Sequence, residues 1–306
     1  MRITPGTMTS RLNADLQSAL AALSKRENML ATNRRINAPS DDPGGTSQAM
    51  TIRSRKTANE QFQRNIDAVR NTLTSADSTI QGVVDYLQQA KDIAIQGAND
   101  STDSVGRQAL GAQIDQILEA EVVLGNTRAP NGMMMFGGQE SKTVPYTVTR
   151  NVNGNITAVT LNPRGVNGSI PAEVSEGLTI QQSVSGDTVF GQLSATTNVF
   201  DTLIRLRDAL NTNNTVAVGA ELDNLSTAHD VATSASVTVG TRLGWLDDLE
   251  GRLKDESLVF SSSLSRVEDA DMAQAATELR QIQNSYDGGI AAGARLLQQS
   301  LLDFLR

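Results

Sequence analysis

From Ile52 to Ile93 the apolar residues keep a spacing of three or four positions almost throughout: Ile52, Ala58, Phe62, Ile66, Val69, Leu73, Ala76, Ile80, Val83, Leu87, Ala90 and Ile93. That period places them along one face of an α-helix, and a run this long exceeds what a strand can use. The spacing predicts a helix from about Gly45 to Gln96. Both ends of the chain repeat the pattern. Leu12, Leu16, Ala19, Leu23 and Leu30 form a near-heptad seam, as do Met272, Ala275, Leu279, Ile282, Tyr286, Ile290, Gly293, Leu297 and Phe304. Aromatic residues are only 3% of the 306, so the core is expected to consist mainly of Leu, Ile, Val, Met and Ala, a mixture suited to helix packing.

Between the first seam and the long helix stands Asn33-Arg34-Arg35-Ile36-Asn37-Ala38-Pro39-Ser40-Asp41-Asp42-Pro43-Gly44-Gly45. Asn33 can adopt the left-handed conformation that ends a helix, and Arg34 and Arg35 suit a helix C-terminus. Pro39 opposes continuation. Asp42 followed by Pro43 reads as an N-cap with proline at the first helical position, and Asp41 adds favourable negative charge. The stretch encodes a stop and a start. Further on, Asp103 is a plausible N-cap for a third helix ending near Gly125-Asn126.

The period changes in the middle. Tyr146, Val148 and Val152 alternate, and after Asn153-Gly154 come Ile156, Val159 and Leu161; Asn-Gly between alternating residues is a strong hairpin signal. Turns at Pro163-Arg164-Gly165, Asn167-Gly168 and Ser185-Gly186-Asp187 bound further short strands. Helix resumes at about Thr197 and again from about Val216 to Ser263, with a last restart at Ser265-Arg266-Val267-Glu268-Asp269. The fold class read from this is mainly α: a long coiled-coil-like helical bundle formed by the N- and C-terminal segments, with a small central β-rich insertion. The expected domains are 1–40 with 266–306 as a terminal helical domain, 41–140 with 195–265 as a helical bundle, and 141–194 as the insertion. Leu12, Leu16, Leu23 and Leu30 are expected to face Leu279, Ile282, Ile290 and Leu297. Gly288, Gly289 and Gly293 each cost ~0.5–1 kcal/mol of helix stability relative to Ala, while letting another helix approach closely. The reading favoured for this segment is a helix that orders only when other chains surround it.

Little in the chain suggests catalysis. There is no Cys, and His229 is the one histidine, so two-histidine metal sites are excluded, and no Gly-x-Ser-x-Gly elbow accompanies it. His229 is expected to face solvent. Asp41-Asp42, Asp247-Asp248 and Glu268-Asp269-Ala270-Asp271 fit capping or solvation better than paired-carboxylate chemistry. Gly44-Gly45 lacks the context of a phosphate loop, and Met133-Met134-Met135 reads as apolar packing. A net charge of −8 argues against nucleic acid, and Arg53-Ser54-Arg55-Lys56 reads as a solvated face. No apolar run is long enough for a membrane span, and the N-terminus lacks the form of a conventional secretory signal. No catalytic, cofactor or metal site is assigned.

The motif Arg34-Arg35-Ile36-Asn37-Ala38-Pro39-Ser40-Asp41-Asp42-Pro43-Gly44-Gly45-Thr46, with Gln63-Arg64-Asn65-Ile66-Asp67 after it, resembles the N-terminal region of the bacterial flagellin superfamily. Ser265-Arg266-Val267-Glu268-Asp269-Ala270-Asp271-Met272 resembles that superfamily's C-terminal signature. The Asp42-Pro43 pair, Asn126-Thr127-Arg128 with Asn131-Gly132, and Phe136-Gly137-Gly138 with Pro145-Tyr146 are similar to its hook-filament junction members; Met133 to Met135 depart from their usual pattern. The resemblance implies a structural, non-enzymatic adapter, exported unfolded through the flagellar secretion channel without a cleaved signal and located outside the cell in the flagellum. Implied partners are further copies of the chain in a ring or helical layer, a neighbouring hook-associated protein and flagellin, and the export apparatus with its chaperone. The terminal helices would form an inner tube, with Arg35, Asn37, Pro39, Asp41, Asp42 and Pro43 at the corner between layers. A flagellin filament subunit is the alternative; a coiled-coil signalling or translocator protein is a more distant one.

Overall fold

The computed structural model describes residues 5–162, 164, 166–193, 195 and 197–304, with backbone alone for residue 5 and residues 296–304. Pro163 and Gly165, two residues of one expected turn, and the side chains of Leu297 and Phe304 lie outside what is described. The helices are α1 (Pro5–Thr32), α2 (Pro43–Ala98), α3 (Ser104–Gly125), α4 (Gly186–Phe190), α5 (Val199–Asn211), α6 (Thr215–Glu268) and α7 (Met272–Phe304). The strands are β1 (Tyr146–Arg150), β2 (Ile156–Leu161), β3 (Pro171–Ser175) and β4 (Leu178–Gln181). The chain is mainly helical with a small strand insertion, as the periodicity predicts. It divides into two compact units: Met1–Ala58 with Asp255–Arg306, and Asn59–Lys254.

In the central unit, α2 and α6 run antiparallel. Gln81 Nε2 donates to Ser236 Oγ at 2.7 Å, and Arg70 bonds Asp247 at 2.9 Å and also Glu250. Along the middle of their apolar faces Ile66, Leu73, Ile80, Leu87, Leu225 and Leu246 have no exposed surface. At ~25 cal/mol per Å² of apolar surface removed from water, this continuous stripe is the main stabilising term. Helix α3 starts where expected, Asp103 Oδ1 accepting from Gly106 N at 2.7 Å, and α5 starts on Asn198. Asn213 sits at φ 57° in the turn before α6, the left-handed geometry that Asn tolerates better than most residues.

The insertion forms two separate antiparallel hairpins, β1–β2 and β3–β4. The first turns through Asn153-Gly154, with Gly154 at φ 90° and Asn151 Oδ1 accepting from the amides of Asn153 and Asn155. Val152, read as a strand residue, stands fully exposed at this tip. Ser185-Gly186-Asp187, read as a turn bounding strands, instead opens the short helix α4. The hairpins are tied to helices: Arg150 pairs with Glu119, Arg207 Nη1 donates to the carbonyl of Ile156 at 2.6 Å, and Asn65 Nδ2 to that of Glu173 at 2.7 Å. The scarce aromatics gather here, Phe190 stacking on Phe200 at 5.1 Å, with Tyr146 and Phe136 edge-on to Phe190. Met135 belongs to the same buried cluster and Met134 is buried too, while Met133 is 38% exposed. His229 is half-buried rather than solvent-facing, its Nδ1 3.7 Å from Asp230.

Candidate assembly interface

The terminal unit is built on an antiparallel pair of α1 and α7. Arg26 Nη2 meets Glu278 Oε2 at 2.7 Å, and further along α1 Leu16 lies against Gly289 and Leu12 against Gly293. A Cβ on Gly293 would stand 2.6 Å from Leu12 Cδ2, and one on Gly289 3.0 Å from Leu16 Cδ2. Two of the three glycines that weaken α7 as an isolated helix, Gly289 and Gly293, are thus the places where α1 leucines seat. The expected seam residues Leu12, Leu16, Leu23, Leu30, Leu279 and Ile282 are all half-buried, Ile290 is exposed, and the Leu297 side chain is not described. Burial is deepest near the corner, at Met29 (5%) and Ala275 (3%). Farther along, Met8 is 50%, Leu20 52% and Ile290 47% exposed. Two helices alone cannot cover apolar surface all round.

Of the sequence-expected corner residues, Arg35, Asn37, Pro39, Asp41 and Asp42 fall in the connection between α1 and α2, and Pro43 opens α2. Asn33 takes φ 56° and ends α1. Pro39 occupies the second position of a turn closed by Asp41 N donating to Ala38 O at 2.9 Å, the position for which proline's fixed φ is best suited. Asp41 Oδ2 accepts from the amides of Asn37 and Ala38 at 3.1 and 3.0 Å, and Oδ1 from Lys25 at 3.0 Å. The Lys25 ammonium, followed by these amides, holds the Asp41 carboxyl down at about 2. Asp42 Oδ1 accepts from Gly45 N at 2.9 Å, capping α2 with Pro43 at its first position. That amide first, and then Arg35, lowers the Asp42 pKa. A Cβ on Gly45 would lie 2.6 Å from both Asp42 Oδ2 and Ile36 Cδ1, so glycine is needed for Ile36 to bury.

The two connections, α1–α2 and α6–α7, are sewn together. Arg35 N donates to Glu268 O at 2.6 Å, and Ala270 N to Asn33 O at 3.1 Å. Arg34 and Arg35, read as complements to the end of α1, instead reach across: Arg34 Nε lies 3.9 Å from Glu268 Oε2, and Arg35 Nη2 donates to Val267 O at 2.9 Å. Glu268 is 4% exposed and takes its shortest bond, 2.6 Å, from Arg53 Nη2. Arg53 and Lys56, the latter donating to Ser261 at 3.1 Å, are therefore not simply a solvated face. Sequence reasoning missed both roles. The available hint was an acid at one helix end matched by three arginines near another, but nothing local says they meet.

Among the described residues no group of three His, Cys, Asp or Glu could hold a metal ion, and no helix is long and apolar enough to cross a membrane. The geometry is that of a helical subunit with a partly uncovered seam.

Residues 3–141 match the bacterial flagellin N-terminal helical region. The resemblance to the flagellin superfamily is borne out, and the similar proteins include hook-associated protein 3 as well as flagellins. It is 21% identical over 294 residues to the flagellar hook-associated protein 3 of Escherichia coli (strain K12), covering 89% of each. It is 24% identical over 303 residues to flagellin B of Helicobacter pylori (strain ATCC 700392 / 26695), spanning 88% of this chain but about half, 55%, of that one. The crystal structure of hook-associated protein-3 from Legionella pneumophila superposes with a TM-score of 0.61 at 18% identity, over 71% of this chain and 98% of that one, a likeness of fold.

Proposed function

We propose that this chain is a structural adapter of the bacterial flagellum that joins hook to filament and assembles through its terminal helices. The observation that carries the reading is the half-covered α1–α7 seam, with Met8, Leu20 and Ile290 exposed and Leu12, Leu16, Leu23, Leu30, Leu279 and Ile282 only half-buried. Repeated head-to-tail contacts between copies would cover it in a ring or helical layer. On this reading residues 1–40 and 266–306 form the inner layer, 41–140 and 195–265 the helical bundle around it, and 141–194 the outer surface. Leu12, Leu16, Leu23, Leu30, Leu279, Ile282, Ile290 and Leu297 are assembly residues, and the segment from Arg35 to Pro43 is the corner between layers. The chain leaves the cell unfolded through the flagellar export apparatus, accompanied to it by a chaperone, and contacts a neighbouring hook-associated protein and flagellin. The near-full-length similarity to hook-associated protein 3 supports this over a filament role.

The second reading, a flagellin filament subunit, draws on the similarity to flagellin B. Electron microscopy of the purified chain under conditions that polymerise flagellin separates the two. The adapter gives monomers or short aggregates; long filaments from this chain alone would overturn the proposal in favour of the filament role.

A further inference from the structure

The central unit holds a cleft of about 860 Å³ between the β3–β4 region and α6. Its floor is one face of α6, where Thr227, Val231, Ser234, Thr238 and Arg242 recur every three or four residues. The facing wall carries the amides of Asn167 and Gln192 and the hydroxyls of Ser183 and Ser185. This volume suits an organic ligand of several rings.

Two hydrogen-bonding deficits meet there. The half-buried Arg242 guanidinium donates to Gln181 Oε1 at 3.0 Å, a neutral acceptor, and burial alone, with no carboxylate beside it among the described residues, lowers its pKa. A guanidinium has five donors and is best satisfied by a planar anion that takes two at once. Across the cleft, Asp187 accepts from Asn167 while its Oδ1 is buried with no partner, and burial raises the pKa of its carboxyl. The charges are spread out: Asp230 and Arg242 both line the cleft from α6, about 18 Å apart along the axis at 1.5 Å per residue. A compact zwitterion such as a free amino acid cannot span them. A polyanion would be repelled by Asp187 and Asp230. What fits is an elongated ligand rich in hydroxyls with one carboxylate, the hydroxyls serving the acids and the Ser, Thr and amide groups.

We propose that this cleft binds a short acidic saccharide, its carboxylate on Arg242 and its hydroxyls on Asp187 and the floor of α6. The activity is separate from assembly and independent of it.

The test is titration of the monomeric full chain with sialyllactose, followed by amide chemical shifts. Saturable shifts at Ser183, Asp187, Thr238 and Arg242 are expected, with affinity about tenfold lower for the uncharged methyl ester and for Arg242→Gln. Thr238→Trp fills the cleft from its floor and abolishes binding, which keeps the test decisive should Arg242→Gln misfold. Absence of shifts at millimolar sialyllactose, equal binding of the ester, or binding unchanged in the folded Arg242→Gln chain each overturns the proposal. Tighter binding at the same residues by a glutamate-containing hexapeptide would replace the saccharide class with a peptide one and overturn it as well.

Discussion

Arg53 on α2 and Glu268 at the end of α6 stand 215 residues apart in sequence and meet at 2.6 Å, with the carboxylate nearly sealed from water and the arginine still 46% exposed. The asymmetry decides what removing each partner does. Arg53→Ala leaves a buried carboxylate with only Arg34 at 3.9 Å, an expected loss of about 1–3 kcal/mol. Glu268→Gln leaves a hydrated arginine and costs less. Hydrogen exchange at the Arg35 and Ala270 amides, which bond across the two connections, reads this directly. Equal protection in both variants would refute the asymmetry.

Glycines in α7 are expected to respond to alanine with opposite signs. Gly288 has nothing within 4 Å of a new Cβ, so Gly288→Ala gains the helix propensity, about 0.5–1 kcal/mol. At Gly293 the Cβ would press on Leu12, so Gly293→Ala loosens the α1–α7 pair despite the same propensity gain. Thermal melts of the far-ultraviolet circular dichroism, compared between the two variants, check the sign.

Leu16→Asp places a charge on the seam opposite Gly289 and is expected to abolish incorporation into the flagellum while the central unit stays folded. Motility and filament imaging in cells carrying the variant give the readout, with circular dichroism of the purified chain as control. Normal filaments from such cells would contradict the assembly role of this seam.

Glu121 lies fully buried on α3, and neither carboxylate oxygen has a hydrogen-bond partner among the described residues. Burial pushes its pKa well above 4.5. A group held protonated in the fold contributes stability that is complete below its unfolded pKa and declines as pH rises toward its folded one. The central unit should therefore lose stability on going from pH 4.5 upward, and Glu121→Gln should flatten that slope. Glu121→Leu is expected to stabilise by roughly 1–3 kcal/mol near neutral pH. Urea titrations at several pH values test both.

Asp41 has the opposite sign. Its carboxyl sits at about 2 against 3.8, so its contribution to the corner is present above pH 3.8 and disappears as pH falls through about 2. Lys25→Ala removes the largest cause and should move the Asp41 titration upward by carbon-13 NMR. An unchanged midpoint would show that the amides of Asn37 and Ala38 suffice.

Features written in neighbouring residues were legible from sequence. Asn33 ending α1, Asp42-Pro43 starting α2, Asp103 capping α3 and Asn153-Gly154 turning the first hairpin each depend on atoms within a few positions, and each was found. The corner's outer half was legible for the same reason. Its inner half was not, because Glu268 and Arg53 are joined by tertiary structure alone, and Arg34 and Arg35 are drawn from the helix end they follow toward a stronger partner. Gly186 and Asp187 passed for a turn because a five-residue helix is too short to show a period. The aromatic cluster escaped because Phe136, Tyr146, Phe190 and Phe200 are scattered along the sequence. Gly45, beside Asp42 and Ile36, shows its reason only once those side chains are placed.

The pairing of α1 with α7 also sets an order of events. Its two helices come from opposite ends of the sequence, so none of its contacts can form early by local search, and closing so long a loop is slow. Contacts within the central unit, such as the packing of α3 on α5, span far less chain. During synthesis α1 emerges well before α7 and waits for α2 to α6 to be made before its partner exists. A first helix rich in polar residues, with its leucines spaced rather than clustered, is what such an interval of solitude requires.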